Sequence, residues 1–81
     1  MKLDITFFAL YRERAGRRQY SLELPRGSTV ADLSQAIRER FPNLAPPEVN
    51  IVVAVNTEYA EPDTVLREGD EVCLIPPVSG G

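Results

Sequence analysis

The chain has no histidine, no tryptophan and a single cysteine, Cys73, among its 81 residues. With one cysteine no disulfide can form within the chain, which fits a reducing compartment such as the cytosol. Without histidine there is no Ser-His or Cys-His nucleophile pair and no cluster of the usual zinc ligands. These absences predict that the chain has no self-contained active site and itself binds neither a metal nor a cofactor.

Basic residues are also few, and the net charge is −3. Their only concentration, Arg12, Arg14, Arg17 and Arg18, is interrupted by Glu13. Such a group is more typical of a solvated hairpin turn than of a nucleic-acid surface, so we expect no nucleic-acid partner. A mildly acidic chain would instead suit a basic partner surface.

Long apolar runs are missing too. The N-terminus lacks the apolar core of a signal peptide, and no stretch is long enough to span a bilayer, so we expect a cytoplasmic protein with no membrane partner. The hydrophobic fraction, 43%, is that of an ordinary globular protein and argues against disorder. A chain of this length forms one small domain of modest stability.

Two alternating segments near the start predict a β-hairpin. In residues 2–8 apolar and polar side chains fall on opposite faces, except that Phe8 places an aromatic ring on the polar face. A second alternating segment, residues 20–24, predicts the partner strand, which ends at Pro25-Arg26-Gly27. We expect the residues between the two strands to form a loop that turns at Gly16.

One amphipathic helix follows the hairpin. Thr29 and Asp32 have the spacing of a capping box at its start. Because Pro42 disfavours a helical residue before it, we expect the helix to end near Arg40 or Phe41. Apolar side chains recur at spacings of three and four and form one stripe: Val30, Leu33, Ala36, Ile37 and Phe41.

The second half of the chain contains two further strands. Residues 42–48 form a Pro-rich loop, and the almost continuous apolar run within 50–56 predicts a strand that is buried on both faces or against a neighbour. Residues 57–70 are predicted as turns that carry a small apolar plug, Val65-Leu66. The last strand is expected over residues 71–75, with Cys73 as a small apolar filler.

The order strand, strand, helix, strand, irregular piece, strand predicts an α+β fold of the β-grasp type. Its mixed sheet has one main helix packed across one face, and the first and last strands are central neighbours. A ferredoxin-like fold is the alternative, but it needs a second full helix that residues 57–70 cannot supply. We therefore expect a β-grasp domain over residues 1–75 and an extended tail over residues 76–81.

The sequence ends with the run Pro76-Pro77-Val78-Ser79-Gly80-Gly81. The two prolines have no N–H group, so they cannot continue a sheet and favour a stiff, extended exit. The two glycines have no Cβ atom and form a thin peptide that can enter a narrow partner site. This pattern predicts a carrier whose chemistry takes place on the main-chain carboxylate of Gly81; the plainer alternative is a frayed terminus.

A docking surface is predicted beside this tail. Phe8 and Ile75 both fall on the sheet face opposite the helix, and they lie close together if the first and last strands are neighbours. An exposed apolar pair of this kind is typical of an interface, and Tyr59 would extend it. The alternative is a set of isolated surface hydrophobic residues, which are common.

Three segments together resemble the small, sulfur-carrying subunit of molybdopterin synthase. They are Phe7 to Glu13, Val53 to Asn56, and Gly69 to Gly81, of which the terminal heptapeptide Ile75 to Gly81 is the most specific. The resemblance covers essentially the whole length and implies a ubiquitin-like β-grasp fold. It also implies that positions matching Phe8, Ile75 and the tail contact the partner.

The resemblance implies a defined chemistry at the diglycine. In that family an ATP-dependent, E1-like enzyme adenylates the C-terminal glycine, here Gly81, and a sulfur-relay protein converts the product to a thiocarboxylate. The large synthase subunit receives the tail and uses its sulfur to build the molybdopterin dithiolene from cyclic pyranopterin monophosphate. This chain would then be a non-catalytic sulfur donor in a heterotetramer, with the catalytic residues on the large subunit and ATP used only by the activating enzyme.

Three other functions stay open at the level of sequence. A sulfur carrier for thiamine thiazole synthesis has the same fold and diglycine, although the Pro76-Pro77 stem and the segment from Phe8 to Glu13 look more like the molybdopterin branch. A ubiquitin-like protein modifier starts from the same activation of the terminus. A β-grasp interaction domain with an inert tail is the third.

Overall fold

The computed structural model describes residues 1–77. The predictions made for Val78, Ser79, Gly80 and Gly81 lie outside the described residues. Within the described part, the elements follow one another as β1 (Lys2–Phe7), α1 (Ala9–Ala15), β2 (Gln19–Glu23), α2 (Val30–Arg40), β3 (Val52–Val55), β4 (Glu58–Tyr59) and β5 (Glu71–Ile75).

The strands form one mixed sheet in the order β2-β1-β5-β3-β4. The first and last strands, β1 and β5, are parallel neighbours, with Ile5 opposite Val72 and Phe7 opposite Leu74. The other neighbouring pairs are antiparallel. This arrangement confirms the predicted β-grasp fold with its central terminal strands.

The hydrophobic core lies between the sheet and α2. Alternate residues of β1 are fully buried, as are the matching residues of β5, because successive side chains of a strand point to opposite faces. The side chain of Phe41, just after α2, meets the rings of Phe7 and Tyr20 edge-on at 5.2 and 5.1 Å. The sheet and α2 contribute most of the buried core: Leu3, Ile5, Phe7, Leu22, Val72, Leu74, Val30, Leu33 and Ile37.

The α2 helix begins and ends as predicted. The Thr29 hydroxyl accepts a hydrogen bond from the Asp32 amide at 3.3 Å, and the Asp32 carboxylate accepts one from the Thr29 amide at 2.9 Å, so the capping box is complete. The helix ends at Arg40. Near its end the guanidinium of Arg38 donates hydrogen bonds to the carbonyls of Ala45, Pro46 and Val49, and these bonds fasten the Pro-rich loop to the helix.

The predicted loop between β1 and β2 is wrong over most of its length. Residues Ala9–Ala15 form the helix α1, and Gly16 ends it in the left-handed conformation at φ 73°. Glycine accepts this conformation without a steric penalty, so Gly16 is the turning point as predicted, but as a helix cap. The helix lacks an obvious start signal because its N-cap is Phe8, whose side chain makes no capping hydrogen bond.

Two details of the second half also differ from the prediction. The turn region 57–70 contains a short strand, β4, which pairs with β3. Asn56 and Thr57 connect the two strands with φ of 50° and 72°, as a tight hairpin requires. Of the predicted apolar plug, Leu66 is buried, whereas Val65 is 57% exposed and forms an isolated backbone bridge to Thr29.

Candidate docking face and tail exit

The sheet face that turns away from α2, called the open face here, is built by the strand register. Thr6, Cys73 and Ala54 lie side by side in one row across β1, β5 and β3, and Tyr59 of β4 continues that row. In the next row Ile75 is paired with Val52. Because side chains alternate along a strand, all of these side chains point away from the core.

Phe8 completes the second row. Its backbone is extended, with φ −105° and ψ 146°, and its amide donates to the Leu74 carbonyl at 3.1 Å, so the β1–β5 register continues past Phe7. This register sets Phe8 opposite Ile75. Phe8 is 45% exposed and Ile75 is half-buried, and the structure therefore brings the two predicted docking residues together on the open face.

Phe8 also breaks a local rule of helix formation. The N-cap of a helix favours Ser, Thr, Asp or Asn, because a side-chain oxygen can accept from an unpaired amide of the first turn. An aromatic ring at this position gives up that hydrogen bond and remains partly in solvent. Such a local conflict is expected at a functional position, since a surface used in binding is not optimised for stability.

Tyr59 lies on the same face but apart from the Phe8–Ile75 pair. It is 79% exposed on the edge strand β4, and Ala54 separates it from the central strands. Two members of this face, Val52 and Ala54, were not among the predicted docking residues. Their alternation within the apolar run of β3 shows that they share one face of the sheet. The sequence does not show which face this is, because that depends on the β3–β5 register.

The tail leaves the sheet next to Phe8 and Ile75. The last strand ends at Ile75, Pro76 is half-buried and Pro77 is exposed. A proline cannot donate to the ladder, so the chain stops pairing at this position. The exit point therefore lies beside the aromatic ring of Phe8 on the open face.

Cys73 occupies the middle of the open face and is partly exposed. Burial, followed by the nearby Glu71 carboxylate, raises the pKa of its thiol. A raised pKa lowers the thiolate fraction at neutral pH, and the thiolate is the nucleophilic form. The side chain thus suits a packing role in this surface more than a reactive one.

Outside the open face, a groove of about 540 Å³ lies between α2 and β3 and is lined by Ala31, Gln35, Ile51 and Ala60 among others. Residues 1–77 contain no group of three or more His, Cys, Asp or Glu side chains placed to hold a metal ion. No helix in the described part of the chain combines the length and apolarity needed to cross a membrane.

The amino-acid sequence is similar to those of a known protein family. Residues 5–81 match the ThiS family. A curated relative, the molybdopterin synthase sulfur carrier subunit of Chlamydomonas reinhardtii, is 39% identical over 83 residues that cover both chains completely.

Solved structures agree with the fold. The crystal structure of SAMP1 from Haloferax volcanii superimposes with a TM-score of 0.87 at 30% identity and full coverage of both chains. A putative molybdopterin converting factor, subunit 1, from Pyrococcus furiosus gives 0.86 at 32% identity and covers 96% of this chain and 99% of its own.

Proposed function

Because the chain belongs to the ThiS family, and its curated relatives are molybdopterin synthase sulfur carrier subunits, we propose that it is the sulfur carrier of a molybdopterin synthase. The observation that carries this proposal is full-length similarity to those carriers, combined with a sequence that continues after β5 as Pro-Pro-Val-Ser and ends in Gly80-Gly81.

The proposed chemistry takes place on Gly81. A carboxylate is stabilised by resonance and is a poor electrophile, so it must be activated before sulfur can replace one of its oxygens. An E1-like enzyme would transfer AMP from ATP to the Gly81 carboxylate and release pyrophosphate. A sulfur donor at the sulfide level would then attack the acyl-adenylate and form the carbon–sulfur bond as AMP leaves, so that the terminus becomes a thiocarboxylate.

The thiocarboxylate would be used in the active site of the large subunit. There it donates sulfur to cyclic pyranopterin monophosphate, and two charged carriers are needed because the dithiolene contains two sulfurs. The tail carries no side-chain acid or base of its own, so the large subunit supplies the catalytic groups and the cations or N–H donors that hold the terminus. A heterotetramer with two carriers fits this requirement.

The open face would form the docking surface for the large subunit. Phe8, Ile75 and Tyr59 present apolar side chains on that face, and the stem Pro76-Pro77 leaves directly beside two of them. A partner that covers Phe8 and Ile75 would thus also receive the tail over Val78, Ser79 and Gly80. A rigid stem lowers the entropy lost when the tail is bound in an extended form.

A second candidate function is a protein modifier. The similarity to SAMP1 of Haloferax volcanii, which is also known as small archaeal modifier protein 1, favours it. A modifier would pass the activated Gly81 carbonyl to a lysine amine of a target and release AMP. The two functions share the first step and differ in the acceptor, so the product of the second step separates them.

The deciding experiment is the intact mass of the protein after incubation with its activating enzyme, ATP and a sulfur donor. The carrier function predicts the mass increase for replacement of one oxygen by sulfur, located at Gly81 by peptide mapping. Oxidation of Met1 or Cys73 adds nearly the same mass, so a reaction without ATP is the matched control.

Further controls test the role of the terminus. A variant with one residue added after Gly81 should gain no ATP-dependent mass. An unchanged mass in the wild type, with a relay shown to be active on another carrier, would contradict sulfur transfer. ATP-dependent conjugates with target proteins, in place of a thiocarboxylate, would favour the modifier.

A further inference from the structure

Charge is divided between the two ends of the sheet. Because β1 and β5 run parallel, Phe7 and Ile75 finish at the same end, called the exit end here because the tail leaves from it. The α1 helix, its following loop and the end of α2 lie at this end as well. The opposite end, called the far end, holds the start of β1, the β3–β4 turn with Glu58, and residues 61–71.

The exit end is basic although the chain as a whole is acidic. Six arginines and three carboxylates lie there: Arg12, Arg14, Arg17, Arg18, Arg38 and Arg40 with Glu13, Glu39 and Glu48. The far end has nine carboxylates and three cations: Asp4, Glu23, Asp32, Glu58, Glu61, Asp63, Glu68, Asp70 and Glu71 with Lys2, Arg26 and Arg67. The surface that surrounds the tail exit therefore has the opposite sign to the net charge of −3.

Four of the arginines at the exit end have contacts within the protein. Arg14 donates to a loop carbonyl at 2.9 Å, and Arg38 holds the same loop. Arg17 lies over the ring of Tyr20, with its guanidinium carbon 5.4 Å from the centroid, and Arg40 donates to the Tyr20 hydroxyl at 2.6 Å. These four side chains are used in packing the end of the domain.

The other two, Arg12 and Arg18, line a cleft with Phe8. The cleft has a volume of about 250 Å³, and Thr6, Phe7 and Ala9 complete its lining. Both arginines are exposed. Two guanidinium groups thus border the same aromatic ring that lies opposite Ile75 at the tail exit.

We propose that Arg12 and Arg18 receive carboxylates of the protein that takes the tail, next to the apolar contact made by Phe8. The assignment rests on the proposed function, since it describes the partner of the same site. The continuity of the cleft with an exposed aromatic surface favours a protein over a small anion, because a partner surface can supply an apolar group and an acid side by side. The net charge alone led to the opposite expectation, a basic partner.

The division of charge also orients the encounter. An acidic surface around the partner's tail entrance attracts the exit end and repels the far end, so the carrier approaches with its tail forward. Electrostatic steering of this kind acts mainly on the association rate and weakens as salt shortens the range of the field.

Association kinetics with the large subunit of the same organism test the proposal. The double variant Arg12→Glu/Arg18→Glu should associate about tenfold more slowly at low salt, and this difference should shrink at high salt. The matched control, Arg26→Glu/Arg67→Glu, changes the net charge by the same amount at the far end and should not reduce the rate. An equal loss in both double variants would overturn the assignment, since it would show an effect of net charge only.

Zero-length cross-linking gives a second, independent measurement. The chain has one lysine, Lys2, at the far end, so Arg12→Lys introduces a single amine into the cleft with no change of charge. A carbodiimide joins an amine to a carboxylate only when the two are in contact. We expect a cross-link from position 12 to an Asp or Glu of the large subunit, and none from Arg26→Lys.

The outcomes separate the assignment from the function on which it rests. If the wild type binds the large subunit but position 12 forms no cross-link and the Arg12→Glu/Arg18→Glu variant associates normally, the cleft assignment is wrong and the carrier function is unaffected. If inorganic phosphate binds the cleft while the same variant associates normally, the ligand is a small anion. If the wild type does not bind the large subunit at all, the cleft assignment and the assignment to a molybdopterin synthase both fail, and the thiocarboxylate assay then decides only whether the chain carries sulfur.

Discussion

The exposed area of Phe8 predicts how much binding affinity should be lost when this side chain is removed. Its ring is 45% exposed, and an aromatic side chain has roughly 200 Å² of surface, so about 90 Å² remains for a partner to cover. At about 25 cal/mol per Å², complete coverage contributes about 2 kcal/mol, or roughly 30-fold in Kd. Phe8→Ser and Phe8→Ala should therefore weaken binding to the large subunit by up to that factor, measured by titration calorimetry.

The matched control for binding is Val65→Ser. Val65 is also an exposed apolar residue, 57% accessible, but it lies beside the start of α2 at the far end of the sheet. We expect wild-type affinity in this variant. Wild-type affinity in both Phe8 variants, or an equal loss in Val65→Ser, would refute the assignment of the docking face.

The two Phe8 variants should also differ from each other in stability. Serine is a favoured N-cap, and its hydroxyl can accept from an amide in the first turn of α1 that Phe8 leaves unpaired. Both variants lose the same buried part of the ring, so Phe8→Ser should be about 1 kcal/mol more stable than Phe8→Ala, or roughly 4–8 °C in Tm. A serine variant that is more stable than the alanine variant and still binds weakly separates the loss of contact from unfolding.

Three further predictions concern the body of the domain. Thr29→Ala removes half of the capping box with Asp32 and should lower the unfolding free energy by about 1 kcal/mol in denaturant titration. The buried Tyr11 hydroxyl has no hydrogen-bond partner among residues 1–77, so Tyr11→Phe should leave the unfolding free energy unchanged or raise it. Burial also raises the pKa of this hydroxyl, so the wild type should lose stability as the pH rises above 10 and the hydroxyl is forced to ionise. The phenylalanine variant has no group to ionise at this position, and its loss of stability above pH 10 should be smaller. The raised pKa of Cys73 predicts that iodoacetamide alkylates it more slowly at pH 8 than a free thiol, with the rate still increasing at higher pH; a rate equal to that of free cysteine would contradict the raised pKa.

The parts of the fold that the sequence predicted are those with a strong periodic signal. The alternation in β1 and the helical stripe of α2 are long enough to exclude other assignments, and the capping box marks the start of α2 at Thr29. From these elements the β-grasp order follows, because a helix between two hairpin-like halves must cross the sheet to reach the next strand.

The missed elements are short and have weak signals. The α1 helix has seven residues, begins at an aromatic N-cap and buries one of them, Tyr11, so no apolar period is visible; the only sequence signal is the high helix propensity of its Ala, Leu, Arg and Glu residues. The β3–β4 hairpin turns at Asn56-Thr57, whereas Asn-Gly is the common sequence for such a turn. Threonine rarely adopts a φ of 72°, so the sequence does not indicate a hairpin at this position.

The candidate site shows the same limit. Phe8 and Ile75 could be placed on one face because each ends an alternating strand, but the cleft of Arg12 and Arg18 depends on how α1 folds back beside Phe8. If the segment between β1 and β2 is assumed to be a loop, its arginines have no defined position relative to Phe8. Once the helix is present, two of these arginines lie at the tail exit, and the local charge differs in sign from the total.

The parallel pairing of β1 and β5 has a mechanical consequence. Met1 and Pro77 lie at opposite ends of this central pair, so a pull on the tail against a domain held by its first strand acts along the strands. Under such a load the hydrogen bonds between the two strands, together with those from β5 to β3, must yield together and not one after another. A partner that draws the tail into a narrow channel can therefore apply tension without unravelling the carrier from its C-terminal strand.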